Sequence, residues 1–243
     1  MRLRRVYSAQ PLATGSRCTI GGIAANHVRR VLRLRAGDAL TLFDGHGGEY
    51  EARLEGCGRD EVFVAVGAYR GIERESPLHV TLVQGISRGD RMDLVVQKAT
   101  ELGVAHIVPL AAERSVVRLD AQQSDRRLEH WRTIAIAACE QCGRNRVPGI
   151  AAPLALHELL ERREPGLTSV LLSPEGTMRV AELPAPGAGL MLLIGPEGGL
   201  SVTETAAALH AGFRAVRLGP RVLRTETAAI TALSAIQQAF GDL

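Results

Sequence analysis

The stretch that decides the fold reads LLIGPEGGLS and covers residues 192–201. The apolar run Leu190–Ile194 leads into a loop of glycine, proline and glutamate, and Ser201 then precedes Glu204 by three residues. A short continuous apolar run is typical of a buried parallel strand. A serine followed three residues later by glutamate is a capping box, which indicates the start of a helix. The stretch therefore predicts a strand, a tight loop and a helix, the repeating unit of a parallel α/β sheet.

The same unit recurs through the rest of the chain after Pro77. Residues 218–227 read LGPRVLRTET, which predicts a strand at 216–218, a glycine turn, and a last helix from Thr225 to about Phe240. Apolar runs and helical periodicity predict the remaining elements, which are strands at 78–83, 107–110 and 170–172 and helices at 90–102 and 124–141, the second capped by Ser124. This alternation predicts an α/β fold with a parallel sheet.

The first seventy residues have a different pattern. Short alternating runs are separated by glycine and aspartate clusters, with one helical stretch at 24–34, and this pattern is typical of a small barrel or sandwich. The predicted strands cover residues 3–7, 39–43, 50–54 and 62–66. A polar stretch that ends at Pro77 separates the two patterns, so we predict one domain over residues 1–72 and a second over residues 73–243.

Composition excludes several classes of protein. The chain has 243 residues, of which 46% are hydrophobic and 23% are charged, so it is neither disordered nor too small to bury a core. Its apolar runs are far shorter than the roughly 20 residues that a membrane-spanning helix needs. The first residues lack the apolar stretch of a signal peptide, and four cysteines without an export signal favour a reducing compartment. We therefore expect a cytoplasmic protein with no membrane-spanning segment.

The net charge of +3 hides an asymmetry along the chain. Residues 1–37 contain eight arginines and no acidic residue, whereas acidic residues exceed basic ones in the remainder. A basic block on a mildly acidic body favours a polyanionic partner, either nucleic acid or a membrane surface. The alternative is a solvated basic face without a partner.

Three loops share a form that suits ligand binding. Each follows a predicted strand and contains glycine, and they begin near Leu172, Gly195 and Leu218. Ligands of open α/β sheets bind outside the carboxyl ends of the strands, so these loops could line one pocket. No GxGxxG or Walker A motif is present, which argues against a nicotinamide or nucleoside triphosphate site. Cys139 and Cys142 lie on a predicted helix without a second pair of ligands, so no metal is expected.

Taken together, the motifs resemble a known enzyme family. GPEGG at 195–199 and LGPRVLRTET at 218–227 look like the two signature loops of the SPOUT, or trefoil-knot, methyltransferases. The likeness is closest to the ribosomal RNA small subunit methyltransferase E family. It extends over nearly the whole chain, through NHVRRVLR at 26–33, LFDG at 42–45, KATELG at 98–103 and EQCGRNR at 140–146.

The resemblance implies a fold and an activity. It implies an N-terminal PUA-like RNA-binding β-barrel and a C-terminal parallel α/β domain with a deep trefoil knot. It implies a homodimer that uses S-adenosylmethionine to methylate N3 of one uridine, U1498, in the 16S rRNA of the 30S subunit. Two alternatives stay open: a related methyltransferase that acts on a ribose or purine of transfer RNA, and a non-catalytic RNA-binding dimer. The apolar stretch at 134–139 is a plausible shared surface of the dimer.

The resemblance and the loops together nominate site residues. We expect the cofactor to contact Leu172, Gly195, Glu197, Gly198, Gly199, Leu218, Gly219, Leu223, Arg224 and Thr225. We expect RNA to contact Arg2, Arg4, Arg5, His27, Arg29, Arg30 and Arg33. The candidates for catalysis are Arg224, Arg5 and Arg144 as cations, with Glu226 or Glu197 as a rival base.

Overall fold

The computed structural model describes residues 4–116, 120–162 and 166–243. The chain forms two compact units. Unit 1 extends to Glu75 and also contains Ile136–Val147, whereas unit 2 contains Ser76–Ala135 and Pro148–Leu243. The predicted domain boundary between residues 72 and 73 stays a prediction, because contacts within a chain do not define which part folds independently.

Unit 1 is built on a five-stranded mixed sheet that forms a half-barrel. Its strands are β1 (Arg5–Tyr7), β2 (Arg17–Gly21), β3 (Ala39–Phe43), β4 (Glu49–Cys57) and β5 (Glu61–Arg70). The order is β1-β3-β4-β5-β2, in which only the β1–β3 pair is parallel. Side chains alternate along the strands between buried and exposed, and Leu54, Val62 and Val64 are completely buried. The β-rich prediction for this part of the chain is therefore confirmed.

The helical stretch of unit 1 is irregular. It starts as α1 (Gly22–Asn26) and continues as a π-helical turn (His27–Leu32). The turn widens because the backbone N–H of Arg33 bonds to the carbonyl oxygen of Val28, five residues back. Arg33 then ends the segment in the left-handed region with φ of 54°. The predicted helical stretch at 24–34 is therefore present over residues 22–32, but its π-helical turn is not predicted, since periodicity does not reveal an inserted residue.

Unit 2 is a six-stranded parallel sheet with helices. Its strands are β6 (Val80–Gly85), β7 (His106–Leu110), β8 (Gly149–Ile150), β9 (Thr168–Leu172), β10 (Leu190–Ile194) and β11 (Arg214–Val216). Their order is β11-β9-β10-β6-β7-β8, and every pair is parallel. The helices are α2 (Arg91–Glu101), α3 (Ala121–Cys142), α4 (Leu156–Glu161), α5 (Val202–His210) and α6 (Thr225–Phe240). The α/β prediction is confirmed, whereas the knot stays a prediction.

The quoted stretch folds as its sequence indicates. All five residues of β10 are buried, in the middle of the sheet. Ser201 caps α5, because its hydroxyl accepts the backbone N–H of Glu204 at 3.0 Å and the Glu204 carboxylate accepts the backbone N–H of Ser201 at 2.8 Å. The last helix also begins at Thr225 and ends at Phe240, as predicted.

Two predicted boundaries are wrong. Ser124 lies inside α3, and the cap is Asp120, whose carboxylate accepts the backbone N–H of Gln123 at 2.8 Å. Strand β11 ends at Val216, two residues before the predicted end. It ends there because the backbone N–H of Arg217 bonds to the carbonyl oxygen of Met178 in a loop, and not to a strand.

The apolar stretch at 134–139 is only partly buried within the single chain. Ala135, Ala138 and Cys139 on α3 are buried, whereas Ile134 and Ile136 are half-buried and Ala137 is exposed, so a shared surface at this stretch stays a prediction. Burial raises the pKa of the Cys139 thiol to about 12, and the thiol donates to the Arg146 carbonyl oxygen at 3.5 Å. Cys139 is therefore a neutral packing residue. The homodimer itself stays a prediction.

Among the residues that the structure describes, no helix is both long enough and apolar enough to span a membrane.

Candidate functional site

The predicted loops follow neighbouring strands of unit 2. Strands β11, β9, β10 and β6 are adjacent and parallel, so their carboxyl ends lie at one edge of the sheet. Val216 pairs with Leu172 at one side of this edge, and Ile194 pairs with Gln84 at the other. The structure thus brings the loops after Leu172, Ile194 and Val216 together, at the edge where parallel sheets bind ligands.

Thr225 ties three elements of this edge together. Its hydroxyl donates to the Gly195 carbonyl oxygen at 2.8 Å and accepts a hydrogen bond from Nε2 of Gln84 at 2.8 Å. Thr225 and Gln84 are both buried. The first turn of α6 is thereby attached to the end of β10 and to the end of β6. Two of the predicted cofactor residues, Gly195 and Thr225, are in direct contact.

Glycines allow close backbone contact where the loop after β10 meets β6, and they leave open space at the outer rim of the loops, at Gly199 and Gly219. A Cβ atom on Gly85, at the end of β6, would lie 2.2 Å from the backbone nitrogen of Pro196, so strand and loop touch. Gly199 and Gly219 have positive φ of 68° and 144°, and a Cβ atom on either would meet nothing within 4 Å. The rim is therefore a cradle of exposed backbone with open space beside it.

The predicted cofactor residues also supply apolar surface. Leu172, Leu218 and Leu223 are each half-buried, as expected for walls that a ligand would complete. Backbone donors and acceptors beside half-buried leucines suit a flat adenine ring together with a polar sugar. The residues thus fit an adenosyl cofactor, although the role of each residue stays a prediction. In the described part of the chain, no group of three or more His, Cys, Asp or Glu residues could hold a metal ion.

A charged cluster joins the two signature loops. Arg91, the first residue of α2, donates to Glu197 at 2.9 Å, and its Nε lies 3.9 Å from Glu226. Glu197 also accepts the backbone N–H of Arg88 at 3.0 Å. Burial alone would raise the pKa of Glu197, but the hydrogen bonds from its own backbone, Arg88 and Arg91 lower it below the usual value. Glu197 is therefore a stable carboxylate and a weak base at neutral pH.

Sequence reasoning missed three residues of this edge. Gln84 lies at the end of β6, Arg88 in the loop that follows it, and Arg91 at the start of α2. Two signals could have revealed them. Gln84 is a completely buried amide in a mainly apolar strand, and Arg88 and Arg91 follow a strand that ends at the ligand-binding edge.

Only some of the predicted RNA-binding residues of unit 1 are exposed to solvent. Arg29, Arg30 and Arg33 on the π-helical turn and its end are exposed, and His27 beside them is half-buried. The Arg29 guanidinium donates to the Arg59 carbonyl oxygen. Arg4 is also exposed and lies 3.7 Å from Asp38. Arg2 lies outside the described residues.

Arg5 and Arg144 are buried and paired with carboxylates. Arg5 is only 4% exposed, and its guanidinium pairs with Glu49 and donates to the carbonyl oxygen of Arg144 at 3.1 Å. Arg144 is 3% exposed and donates to both carboxylate oxygens of Glu75. Both guanidinium groups are enclosed within unit 1 and already paired, which favours a structural role over RNA contact or catalysis; the expected roles of Arg5 and Arg144 stay predictions.

The two buried ion pairs, Arg5 with Glu49 and Arg144 with Glu75, form a cluster that holds the EQCGRNR segment within unit 1. Asn145 accepts a hydrogen bond from Arg5 at 2.5 Å and donates to the Ile72 carbonyl oxygen at 2.6 Å. Burial would raise the pKa of Glu49, but the hydrogen bond and charge of Arg5, with the charge of Arg74, lower it. The signature residues of this segment are therefore explained by the folding of unit 1.

Comparisons with known proteins agree with this geometry. A family model described as RNA methyltransferase domain matches residues 74–237, and one described as RNA methyltransferase PUA domain matches residues 21–67. Ribosomal RNA small subunit methyltransferase E of Buchnera aphidicola subsp. Schizaphis graminum is 33% identical over 242 residues, which cover 100% of this chain and 98% of the relative.

Two solved structures are also similar over the whole chain. A methyltransferase from Legionella pneumophila, in complex with the bound cofactor SAM, has a TM-score of 0.95 and 41% identity, with 100% of both chains covered. Ribosomal RNA small subunit methyltransferase E from Neisseria gonorrhoeae, bound to S-adenosyl methionine, has a TM-score of 0.91 and 37% identity, with 99% of both chains covered. The chain belongs to the ribosomal RNA small subunit methyltransferase E family.

Proposed function

We propose that this protein binds S-adenosylmethionine at the carboxyl edge of the unit 2 sheet and methylates N3 of one uridine, U1498, in 16S rRNA. The observation that carries the proposal is the cradle itself, in which Thr225 holds the loop at Gly195 against α6 while Gly199 and Gly219 leave open backbone at the rim. Membership of an rRNA methyltransferase family and similarity to two SAM-bound structures support the choice of cofactor.

The chemistry at uridine N3 sets what the protein must provide. Bound S-adenosylmethionine would supply a methyl group that is already activated on a sulfonium. N3 of neutral uridine carries a proton, which must leave before N3 can form the new bond. Its loss leaves negative charge on N3 and the two carbonyl oxygens, and a nearby guanidinium would stabilise that charge. Holding the two reactants in line can contribute about 7–11 kcal/mol in favourable cases.

Arg224 is the exposed cation among the catalytic candidates. It occupies the N-cap position of α6, next to Thr225, and it is exposed. Its backbone is fixed by the Thr225 hydrogen bonds while its side chain can reach a substrate. The rival role, removal of the N3 proton, falls to Glu226, because the hydrogen bonds to Glu197 lower the pKa of that carboxyl group. One oxygen of Glu226, Oε2, is buried and has no hydrogen-bond partner in the described part of the chain.

Replacing Arg224 by alanine should lower the single-turnover rate of methyl transfer by more than about tenfold. RNA affinity should change little, because the phosphate contacts are assigned to the exposed arginines of unit 1. The wild-type rate should rise from about pH 6 to pH 9, because the reacting form of uridine is the anion. Quenched-flow assays with saturating enzyme measure the single-turnover rate of the variant and the pH dependence of the wild-type rate. Arg221→Ala removes an exposed arginine from the same loop and should keep the wild-type rate. A pH-independent rate with chemistry limiting, or a fast Arg224→Ala enzyme, contradicts this mechanism.

The exposed arginines of unit 1 should hold the RNA backbone. Arg30→Glu with Arg33→Glu should weaken RNA binding and flatten its salt dependence by about 0.7–0.9 log units per lost contact, because each phosphate contact releases counterions. Cofactor affinity should not change. Arg126→Glu with Arg127→Glu on α3 makes the same change in net charge on unit 2 and is the matched control. Equal RNA affinity of both double variants at every salt concentration would mean that the unit 1 arginines form a solvated face that does not bind RNA.

We also propose that the protein acts as a homodimer on the 30S subunit. The proposal rests on the resemblance to the family. A dimer would let unit 1 of one subunit hold RNA near the methyl donor of the other. A sedimentation mass of one chain at micromolar concentration, with full activity, would contradict it.

Titration calorimetry with S-adenosylmethionine is the simplest test of the enzyme class. A methyltransferase should bind it, whereas a non-catalytic RNA-binding dimer should not. Thr225→Val should weaken binding because it removes both hydrogen bonds that fix the loop at Gly195. Thr227→Val changes an exposed threonine in the same first turn of α6 and should bind as the wild type does.

A further inference from the structure

An open groove lies beside the proposed cofactor site and is not part of it. Its volume is about 660 Å³, and it is lined by the loop after β6, by Leu94 on α2, by Val116 and by Glu197. All of these residues belong to unit 2. Glu197 belongs to the GPEGG loop, so the groove and the cofactor cradle share one residue. The volume falls within the usual range for sites that bind small organic groups.

The groove offers an apolar surface. Leu94 is 38% exposed and Val116 is 58% exposed, although large aliphatic side chains are usually buried. Both lie among charged residues of the loop after β6. Apolar side chains that remain exposed within a polar rim are typical of a binding surface. A flat heterocyclic base could cover them.

The charged groups of the groove suit one kind of nucleotide. The Arg91 guanidinium is held by Glu197 and Glu226, so it is a positioned donor. The Glu197 carboxylate is a positioned acceptor, because Arg88 and Arg91 donate to it. The Arg88 side chain is exposed and forms no ion pair or hydrogen bond in the described part of the chain, so it can neutralise a phosphate.

We propose that this groove binds the acceptor nucleotide, a uridine of the RNA strand, with its base against Leu94 and Val116 and its phosphate near Arg88. The proposal rests on the proposed function and assigns its acceptor site. The imide edge of uracil presents an N–H between two carbonyl oxygens. When the nucleotide first binds, the Glu197 carboxylate accepts that N–H while Arg91 donates to a carbonyl oxygen. Glu226, whose carboxylate lies 3.9 Å from Nε of Arg91, takes the proton in the later transfer step. Cytosine has an acceptor at N3, which would face the acceptor oxygens of the Glu197 carboxylate without a proton between them. Glu197 and Arg91 together would therefore select uridine over cytidine.

The apolar surface is tested with Leu94→Asp and Val116→Asp. Because both side chains are already exposed, neither change should unfold the chain. Each should raise the KM for 30S subunits at least tenfold and leave the dissociation constant of S-adenosylmethionine within twofold of wild type. Leu209→Asp is the matched control, since Leu209 is 45% exposed on α5 and lies outside the groove. A wild-type KM in both groove variants overturns the proposal.

The selection of uridine is tested by RNA binding without cofactor. The probes are two RNA oligonucleotides of the 16S target region that differ only by uridine or cytidine at the acceptor position. The wild type should bind the uridine RNA about tenfold more tightly, and Glu197→Gln should reduce the difference to within twofold, because an amide can donate to cytosine N3. An unchanged preference in Glu197→Gln, or no preference in wild type, contradicts the groove assignment. Since no cofactor is present, this result is independent of whether the chain binds S-adenosylmethionine.

Discussion

Valine at position 198 should remove measurable binding of S-adenosylmethionine. A Cβ atom on Gly198 would lie 3.1 Å from the carbonyl oxygen of Arg114 and 3.2 Å from its Cβ, and valine adds two further methyl groups. The GPEGG loop would have to move away from the segment at Arg114. That movement would pull Glu197 from Arg91 and strain the hydrogen bond between Thr225 and Gly195. Titration calorimetry of the purified variant gives the result directly.

Gly187→Val is the matched control for this change. Gly187 is an exposed loop glycine of the same unit, its φ is not in the left-handed region, and a Cβ atom there would meet nothing within 4 Å. Its affinity for S-adenosylmethionine should equal that of the wild type. Binding of normal strength by Gly198→Val would mean that the GPEGG loop is not part of the cofactor site.

Arg5→Ala should destabilise unit 1 by about 3–5 kcal/mol, the usual result of leaving one member of a buried ion pair without its partner. The Glu49 carboxylate would lose its buried cation and keep Arg74 at 3.4 Å and the hydrogen bond from Asn145, and Asn145 would lose a donor. The only tryptophan, Trp131, belongs to unit 2 and would not report this loss. Hydrogen exchange of peptides from β4, measured by mass spectrometry, should show the lost protection.

Arg4→Ala is the control for the Arg5 variant. The Arg4 side chain is 53% exposed and has a single ion pair with Asp38 at 3.7 Å, so its loss should cost less than about 1 kcal/mol. The pH dependence gives a second check. Because the pKa of Glu49 is lowered by folding, its contribution is complete above the ordinary pKa of glutamate and is lost as the pH falls through the lower folded value. Equal protection in the Arg4 and Arg5 variants would contradict the buried-anchor role.

Local signals in the sequence are sufficient to predict the strand and the helix starts that form the carboxyl edge of the sheet. The buried run at 190–194, the capping box of Ser201 and Glu204, and the helix start at Thr225 are each decided by neighbouring residues, and each is confirmed. The parallel arrangement followed from the strand–helix alternation. The sequence alone therefore predicts that the loops after β9, β10 and β11 lie at one edge of the sheet.

Contacts between distant residues could not be predicted in the same way. Arg5 looked like one more cation of a basic block, yet it is buried against Glu49 and against Asn145, which lies 140 residues away. Gln84 and Thr225, which are 141 residues apart, meet only because β6 and β10 are neighbours. The π-helical turn before Arg33 depends on a single backbone hydrogen bond that periodicity does not show. These features depend on tertiary packing, which overrides local propensity.

The most direct test of the central claim is the identity of the methylated nucleoside. The 30S subunits come from a strain that lacks its own enzyme, and they are incubated with the protein and S-adenosylmethionine carrying a deuterated methyl group. Their 16S rRNA is then digested to nucleosides for mass spectrometry. The account predicts labelled 3-methyluridine at close to one per 16S rRNA, and none with the Gly198→Val variant. Label on a ribose oxygen or on a purine, or no label with active cofactor binding, would contradict it.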